Sequence, residues 1–348
     1  MAKPVVVPPP AALRGRGGKP AAGVAVPAVA VAPTATPANV RRMDDFRSQR
    51  QEVREGDRTI IREPGRTIIK QGNVTVIRRD ESDRFRYGAR NIIAERRGNE
   101  LRTIAVRPDG SRIINVTDDT GRLVRRVRRD QFGREYVMFD NNRSGMGAGT
   151  ALGIGVAAGL AAGLGVAYLA NVPPPVITIP EDQYIVDTRY APPAMLYDTL
   201  AAPPIDAIER SYTLDEIRYT PALRQRMRSV DINTLTFDSG SFELRPDQYG
   251  QLEAIANAIR QVTEANPNEV FLIEGHTDAV GTEEDNISLS DRRAEAVAVA
   301  LTEQFQIPPE NLTTQGYGEQ QLKVPVQGPN EQNRRVTVRR ITPLLAGK

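Results

Sequence analysis

The chemistry in this sequence starts from an arginine that occupies an apolar position of a predicted helix. Over residues 286–304, Leu289 and Val297 mark the core-facing stripe, and Arg293 lies on that stripe, four residues from each. Arg292 is turned about 100° away from it. A guanidinium on the buried side of a helix is costly unless it has an anionic partner. The pattern therefore predicts either a site for an anionic ligand or a structural ion pair.

Asp278 is the nearest candidate for that partner. It follows a short apolar strand predicted at residues 270–273, at the carboxyl end of the strand, where α/β sheets place their ligands. An Asp278–Arg293 ion pair that only fastens the loop to the helix fits the spacing equally well. The single histidine, His276, is interpreted as a packed residue at the strand end rather than as a base.

The residue types that are absent limit the chemistry further. The sequence has no cysteine and one histidine, which excludes disulfides, thiolate metal sites, a cysteine nucleophile and a multi-histidine metal site. A hydrolase would need a paired acid and base or a metal, and the single histidine, His276, with scattered carboxylates offers neither. We therefore predict a non-enzymatic protein with no catalytic residues, no metal site and no cofactor.

Alternating strands and helices surround these residues. Strands are predicted at 234–237, 270–273, 311–315 and 335–341, and a first helix begins near Pro246 with Leu252, Ile255, Ile259 and Val262 as its apolar stripe. This order indicates a small α/β domain in which helices pack on a sheet.

A series of short motifs runs through this region in a fixed order. They are Ile273-Glu-Gly-His-Thr-Asp278, Gly281, Asn286, Leu289-Ser290, Arg293-Ala294, Gly316-Tyr-Gly-Glu319 and Asn333-Arg-Arg-Val336. In order and spacing they resemble the signature of the OmpA/MotB-type peptidoglycan-associating domain. The resemblance covers about 110 residues, roughly 231–341, and implies an α+β sandwich of the OmpA-like type.

The resemblance also implies a ligand, the diaminopimelate residue of peptidoglycan stem peptides. It assigns the ligand's ammonium and carboxylate to the residues at Asp278 and Arg293, with Arg334 alongside. Arginine suits this role because its planar fork can hold a carboxylate through two hydrogen bonds. Thr277 is a candidate hydroxyl contact, with a turn role as the alternative. Asn286 is a candidate ligand contact, with helix N-capping as the alternative.

The implied function is a non-covalent anchor between a membrane and the cell wall of a Gram-negative envelope, with this domain in the periplasm. The resemblance favours the outer membrane, whereas one membrane-spanning helix would favour the inner membrane. The domain is expected at residues 229–345, and the preceding chain takes nothing from the resemblance.

The first half of the chain is basic. Before Ser144 there are 30 Arg and Lys against 17 Asp and Glu, a net charge of +13, and the remainder carries −10. Residues 1–55 are rich in Pro and Ala and are predicted to be a disordered tether. Residues 56–143 repeat short β-branched runs between turn residues, which predicts an antiparallel β-meander with one apolar and one basic face.

Two interpretations of the basic face stay open. It could bind an anionic lipid, lipopolysaccharide or nucleic acid, which is the alternative main function, or its arginines could only keep exposed strands soluble.

An uncharged run rich in Gly and Ala follows at residues 145–171. It is long enough to cross a bilayer, and glycines spaced four apart would let two helices approach closely. We expect a transmembrane or glycine-zipper helix that contacts a membrane and permits self-association, with a flexible linker as the alternative. Residues 172–228 are predicted to be a proline-containing linker with short helices near 194–200 and 222–227.

Overall fold

The computed structural model describes residues 42–72, 74–142, 172–238 and 240–345, together with the backbone of a short strand pair between 158 and 169. Residues 1–41, to which most of the predicted tether belongs, lie outside the described residues, as does most of the glycine-rich run.

The first sheet is an antiparallel meander of four strands in chain order. They are β1 (Gln51–Glu55), β2 (Arg58–Glu63), β3 (Arg66–Gln71) and β4 (Val74–Arg79). Neighbouring residues such as Ile60 and Ile61 point to opposite faces, and both are buried. Tyr219 packs on the side of Ile60, and Ile287 packs on the side of Ile61. The prediction of one apolar and one basic face is therefore wrong for this sheet, because other parts of the chain cover both faces.

Helix α1 (Met43–Arg47) precedes this sheet. Met43 and Phe46 are buried, and β1 pairs with β2 along its whole length. The predicted tether is therefore wrong for residues 42–55, since two buried apolar side chains and a paired strand fix this segment.

The second sheet confirms the predicted meander with five further antiparallel strands. They are β5 (Asn91–Arg97), β6 (Glu100–Val106), β7 (Arg112–Thr117), β8 (Leu123–Arg129) and β9 (Glu135–Asp140). A 3-10 helix, Ser82–Arg86, joins it to the first sheet and buries Phe85 against Ala105 and Ile113.

Two short strands occur inside the glycine-rich run. Strand β10 (Ala158–Leu160) pairs antiparallel with β11 (Ala167–Leu169). A single helix through 145–171 is therefore wrong at these positions. The physical reason is that each glycine costs a helix about 1 kcal/mol relative to alanine, whereas strand pairing satisfies the same backbone groups. No helix among the described residues is long and apolar enough to cross a membrane.

The C-terminal half is built on a mixed five-stranded sheet in the order β12-β13-β16-β14-β15. Its elements are α2 (Glu181–Tyr184), β12 (Ile185–Asp187), α3 (Pro193–Ala201), α4 (Leu214–Tyr219), α5 (Pro221–Arg224), β13 (Ser229–Asp231), α6 (Glu253–Ala265), β14 (Phe271–Gly275), α7 (Glu283–Phe305), β15 (Leu312–Gly316) and β16 (Val336–Arg340). Helices α3, α6 and α7 bury one face of the sheet. Helices α4 and α5 and strand β9 contribute to the apolar cluster on the other face.

Two expectations for this half differ from the structure. Residues 172–228 are more than a linker, because β12 joins the sheet and Leu196 and Leu200 of α3 enter the main core. The strand expected at 234–237 is absent. Residues 233 and 234 turn there instead, and Leu235 is buried against the core.

Charged side chains of helix α7 form ion pairs with the N-terminal half of the chain. Asp291 accepts hydrogen bonds from Arg66 at 2.8 Å and from Arg79 at 3.2 Å. Glu295 pairs with Arg79 and Arg84, each at 2.9 Å. These three arginines of the first half therefore form ion pairs with carboxylates of the same chain.

Arg292 lies on this covered side of α7. It pairs with Glu63 of β2 at 3.0 Å, and its guanidinium lies 3.3 Å from the centroid of the Phe46 ring. As the helix period predicts, Arg292 points away from the apolar stripe that carries Arg293. It is nevertheless buried, because the first half of the chain packs over it.

Glu81, between β4 and the 3-10 helix, joins both sheets to the C-terminal half. Its carboxylate accepts hydrogen bonds from Arg84, from Arg126 of β8 at 2.7 Å and from Arg218 of α4 at 3.0 Å. Burial alone would raise the pKa of Glu81. The surrounding arginines outweigh burial and lower that pKa far below its usual value.

We predict that Glu81→Gln lowers the free energy of unfolding by about 3–5 kcal/mol, because the buried arginines lose their compensating charge. The folded-state pKa is depressed, so the carboxylate's contribution is present above the unfolded pKa and is lost as pH falls toward the folded value. Urea unfolding at pH 7 and near pH 3 should show the difference from wild type shrinking in acid.

Asp83→Asn is the matched control, since the Asp83 side chain is 72% exposed and, among the described residues, forms an ion pair only with the exposed Arg86. Its effect on stability should stay within about 0.5 kcal/mol. Equal unfolding midpoints for the two variants would contradict the role assigned to Glu81.

Candidate functional site

A cleft of about 190 Å³ opens between the loop after β13, helix α7 and the loop before β16. It is lined by Arg189, Asn233, Leu235, Thr236, Phe237, Arg293, Glu331, Gln332 and Arg334. Two of the five residues predicted for the site, Arg293 and Arg334, therefore face one cavity.

Arg293 is buried, with 3% of its surface exposed. Its Nε donates to the carbonyl oxygen of Ser241 at 3.0 Å and its Nη2 to that of Asp238 at 3.3 Å, while the guanidinium lies 4.9 Å from the Phe237 ring centroid. Within the described residues Nη1 has no hydrogen-bond partner, and no carboxylate lies within ion-pair distance of the guanidinium. The predicted direct Asp278–Arg293 ion pair is therefore not formed.

The electrostatics of Arg293 follow from this arrangement. Burial, and next the charge of Arg334, lower its pKa to about 10, while Asp278 acts in the opposite direction. The group stays protonated at neutral pH, but its charge is incompletely compensated. A carboxylate that entered the cleft would supply the missing anion.

Asp278 is placed beside the cleft, where it pairs with Arg334. Its Oδ2 accepts from Arg334 Nη1 at 2.7 Å and from the backbone N–H of Asn330 at 3.2 Å. Its Oδ1 accepts no hydrogen bond from the described residues. The cluster of Asp278, Arg293 and Arg334 thus holds one carboxylate and two guanidinium groups, an excess of one positive charge.

Asn286 and Thr277 do not line the cleft. Asn286 is not the N-cap of α7; that position belongs to Thr282, whose hydroxyl accepts from the backbone N–H of Asp285 at 3.2 Å. The helix begins earlier than its apolar pattern suggested. Asn286 instead donates to Glu319 at 2.7 Å, and the backbone N–H of Thr277 donates to Gly318. Both residues fasten the loop at 316–319 to the site.

His276 is a packed residue. It is buried, and its ring stacks on Tyr317 with centroids 5.6 Å apart. Burial, and next the positive charges of Arg335, Arg224 and Arg339, hold its pKa well below the usual value. Within the described ranges, no group of three or more His, Asp and Glu side chains is arranged to hold a metal ion.

Sequence reasoning missed the groups that orient Arg293. Two of them are backbone carbonyl oxygens, which no residue type reveals, and the third is the ring of Phe237. The available signal was the run Asp238-Ser-Gly-Ser241, whose residue types favour a turn, since a turn leaves carbonyl groups free to accept hydrogen bonds.

Comparisons with known proteins match the part of the chain that carries the charged cluster. A family model described as the OmpA family matches residues 236–336, which include the whole charged cluster. The lipoprotein YfiB of Escherichia coli is 34% identical over 117 residues, which are 32% of this chain and 68% of that protein. The chain belongs to the OmpA family.

Other OmpA-like proteins match over the same share of the chain. The peptidoglycan-associated lipoprotein of Pseudomonas putida is 38% identical over 114 residues, 31% of this chain and 63% of that protein. This chain therefore spans less than two thirds of that relative's length. The crystal structure of the peptidoglycan-associated lipoprotein from Burkholderia pseudomallei is 26% identical, with 34% of this chain and 92% of that chain covered and a TM-score of 0.27.

Two glycines of the OmpA-like motifs let α7 lie directly on the sheet. A Cβ at Gly275 would lie 1.9 Å from the carbonyl oxygen of Ser290, and one at Gly316 would lie 2.4 Å from the backbone nitrogen of Asp291. Both contacts are with helix backbone, which cannot yield as a side chain end can. These glycines therefore set the distance between α7, which carries Arg293, and the strands that lead to Asp278.

We predict that Gly275→Ala destabilises the OmpA-like domain by about 3 kcal/mol, because the added methyl group forces α7 away from the sheet. Gly250→Ala is the control, since a Cβ there meets nothing within 4 Å. Thermal unfolding should show a large fall for the first variant only. Similar midpoints would mean that α7 can move at little cost.

Proposed function

We propose that this protein is a non-enzymatic cell-envelope protein whose OmpA-like domain binds peptidoglycan non-covalently. We infer further that the cleft holds the diaminopimelate residue of the stem peptide. The observation that carries the proposal is Arg293, a buried guanidinium with a free Nη1 among the described residues, at a cleft of about 190 Å³.

The charges of the cluster match the end of a diaminopimelate side chain, which carries one carboxylate and one ammonium group. The carboxylate would bind Arg293, with Arg334 close enough to share the charge. The ammonium would bind Oδ1 of Asp278, because Oδ2 is already occupied by Arg334. Arg334, whose side chain is 41% exposed, can adjust to the ligand, whereas Arg293 is fixed.

The name of the similar protein from Pseudomonas putida supports this proposal, since it is a peptidoglycan-associated lipoprotein. We accordingly place the protein in the envelope of a Gram-negative cell, with the OmpA-like domain in the periplasm and the wall linked to a membrane, the outer membrane being favoured by the family. A membrane contact and self-association through residues 145–171, and an anionic partner for the basic half, remain predictions from sequence.

For the full-length protein, we predict co-sedimentation with peptidoglycan sacculi that contain diaminopimelate. Arg293→Lys should weaken this binding about tenfold, since lysine keeps the charge but loses the planar fork. Asp278→Asn should also weaken it, by removing the charge that faces the ammonium. Binding isotherms from the pelleted fraction at several sacculus concentrations would give the ratios.

Arg260→Lys is the matched control, because this arginine of α6 donates hydrogen bonds to Asn257 and to the carbonyl oxygen of Phe305 and is absent from the cleft lining. Sacculi with lysine in place of diaminopimelate lack the side-chain carboxylate and should bind as weakly as the Arg293→Lys variant does. Equal binding to both wall types would reject diaminopimelate as the ligand. Failure of the wild type to sediment would reject peptidoglycan binding itself.

A further inference from the structure

The turn at residues 238–241 is the part of the site that aims Arg293. Both hydrogen bonds made by the Arg293 side chain end on carbonyl oxygens of this turn. The turn is closed by a hydrogen bond of 2.9 Å from the N–H of Ser241 to the carbonyl of Asp238, and Gly240 adopts a φ of +67° within it. Any shift of the turn would therefore move the guanidinium relative to the cleft.

This turn has few other attachments. It follows the segment that does not form the expected strand, so no sheet holds it. Among the described residues, residues 236–241 receive hydrogen bonds from outside this segment at four places: from Arg293, from Gln248 to Thr236, from the N–H of Glu243 to the Ser241 hydroxyl at 3.1 Å, and from the N–H of Met43 to Gly240 at 2.9 Å. Residues 42 and 241 also form an isolated antiparallel β-bridge.

Met43, the first residue of helix α1, donates the hydrogen bond to Gly240, and several contacts hold helix α1 in place. Phe46 is fully buried, with its ring centroid 5.6 Å from that of Phe242, just beyond the turn. Arg292 of α7 lies over the Phe46 ring at 3.3 Å. Arg47 and Arg50 pair with Asp285 in the first turn of α7, at 2.9 and 2.7 Å. Helix α1 is thus tied to the same helix that carries Arg293.

We propose that the segment at residues 42–47 is a positioning element of the ligand site. It braces the turn at 238–241 through the hydrogen bond from the N–H of Met43 to Gly240, and thereby fixes the direction in which the guanidinium presents its free nitrogen to a carboxylate. The inference rests on the proposed function for its ligand. It makes the N-terminal half of the chain a contributor to binding, through Met43 and Phe46, although neither residue lines the cleft.

The sharpest test compares Met43→Pro with Met43→Ala in the full-length protein. Met43 is the first residue of α1, a position that tolerates proline, and Arg42 has the extended backbone that proline requires of its predecessor. Both variants lose the methionine side chain, but only proline also loses the N–H that binds Gly240. Their difference therefore isolates the brace from the loss of packing.

The probe is a soluble stem peptide that ends in diaminopimelate, titrated by calorimetry. Met43→Pro should bind it roughly fivefold more weakly than Met43→Ala, as expected for one hydrogen bond. In the ligand-free protein, the NMR signal of the Arg293 Nε–H group should shift or broaden in Met43→Pro and stay near its wild-type position in Met43→Ala. A purely structural role would not move this signal.

Equal affinities together with an unchanged Arg293 signal would overturn the inference. If the wild type does not bind the peptide, the proposed function fails, and the Arg293 signal alone decides whether α1 positions this side chain. If Met43→Pro does not fold, Phe46→Leu replaces it, since the smaller side chain loosens the contact with Phe242 while remaining apolar. Unchanged affinity and an unchanged signal in Phe46→Leu would then overturn the inference.

Discussion

The fold depends on neutralising the buried charges of helix α7. Asp291 and Arg292 are adjacent in this helix and almost fully buried, and buried charges are tolerated only when partners of opposite sign accompany them. The first sheet supplies those partners through Arg66 and Glu63. Ile287 adds an apolar contact with the same sheet. The side of α7 that a separate domain would present to water is thus an interior surface in this chain.

Arg293 is the exception, and the difference defines the site. Arg292 has a carboxylate partner in Glu63, whereas Arg293 has two carbonyl dipoles and an aromatic ring. Dipoles orient a guanidinium without cancelling its charge, so the preference for an anion persists on the open side. The ion pair between Asp278 and Arg334 also leaves Arg293 without a carboxylate partner, because it holds the Asp278 carboxylate away from the Arg293 guanidinium. Arg293 in the cleft lining and Asp278 beside the cleft therefore remain a separated cation and anion.

Sequence reasoning predicted the strands of both meanders except β1, which it assigned to the tether, and the two principal helices, because periodicity and turn residues are local signals. It also named Asp278 and Arg293 from their spacing, and Arg334 through the family resemblance. It did not predict that the first sheet covers the other side of α7, since a charged residue such as Arg292 gives no sign of a partner 229 residues away in the sequence. It also expected a strand at 234–237, where alternation is present but no neighbouring strand is available. The hydrogen bond from Met43 to Gly240 was not predictable either, because a backbone N–H makes it and no residue type reveals it.

The opposite charges of the two halves acquire a structural explanation from these contacts. An excess of +13 before Ser144 and −10 after it suggests, from sequence, a basic region that seeks an external anion. In the folded chain, many of those arginines pair with internal carboxylates, including Glu81, Asp291, Glu295 and Asp215. Charge asymmetry along a sequence can therefore reflect two halves that neutralise each other, and by itself it no longer argues for an anionic partner. The ion pairs show instead that the first half covers part of the OmpA-like domain, so that the packed unit extends well beyond residues 236–336.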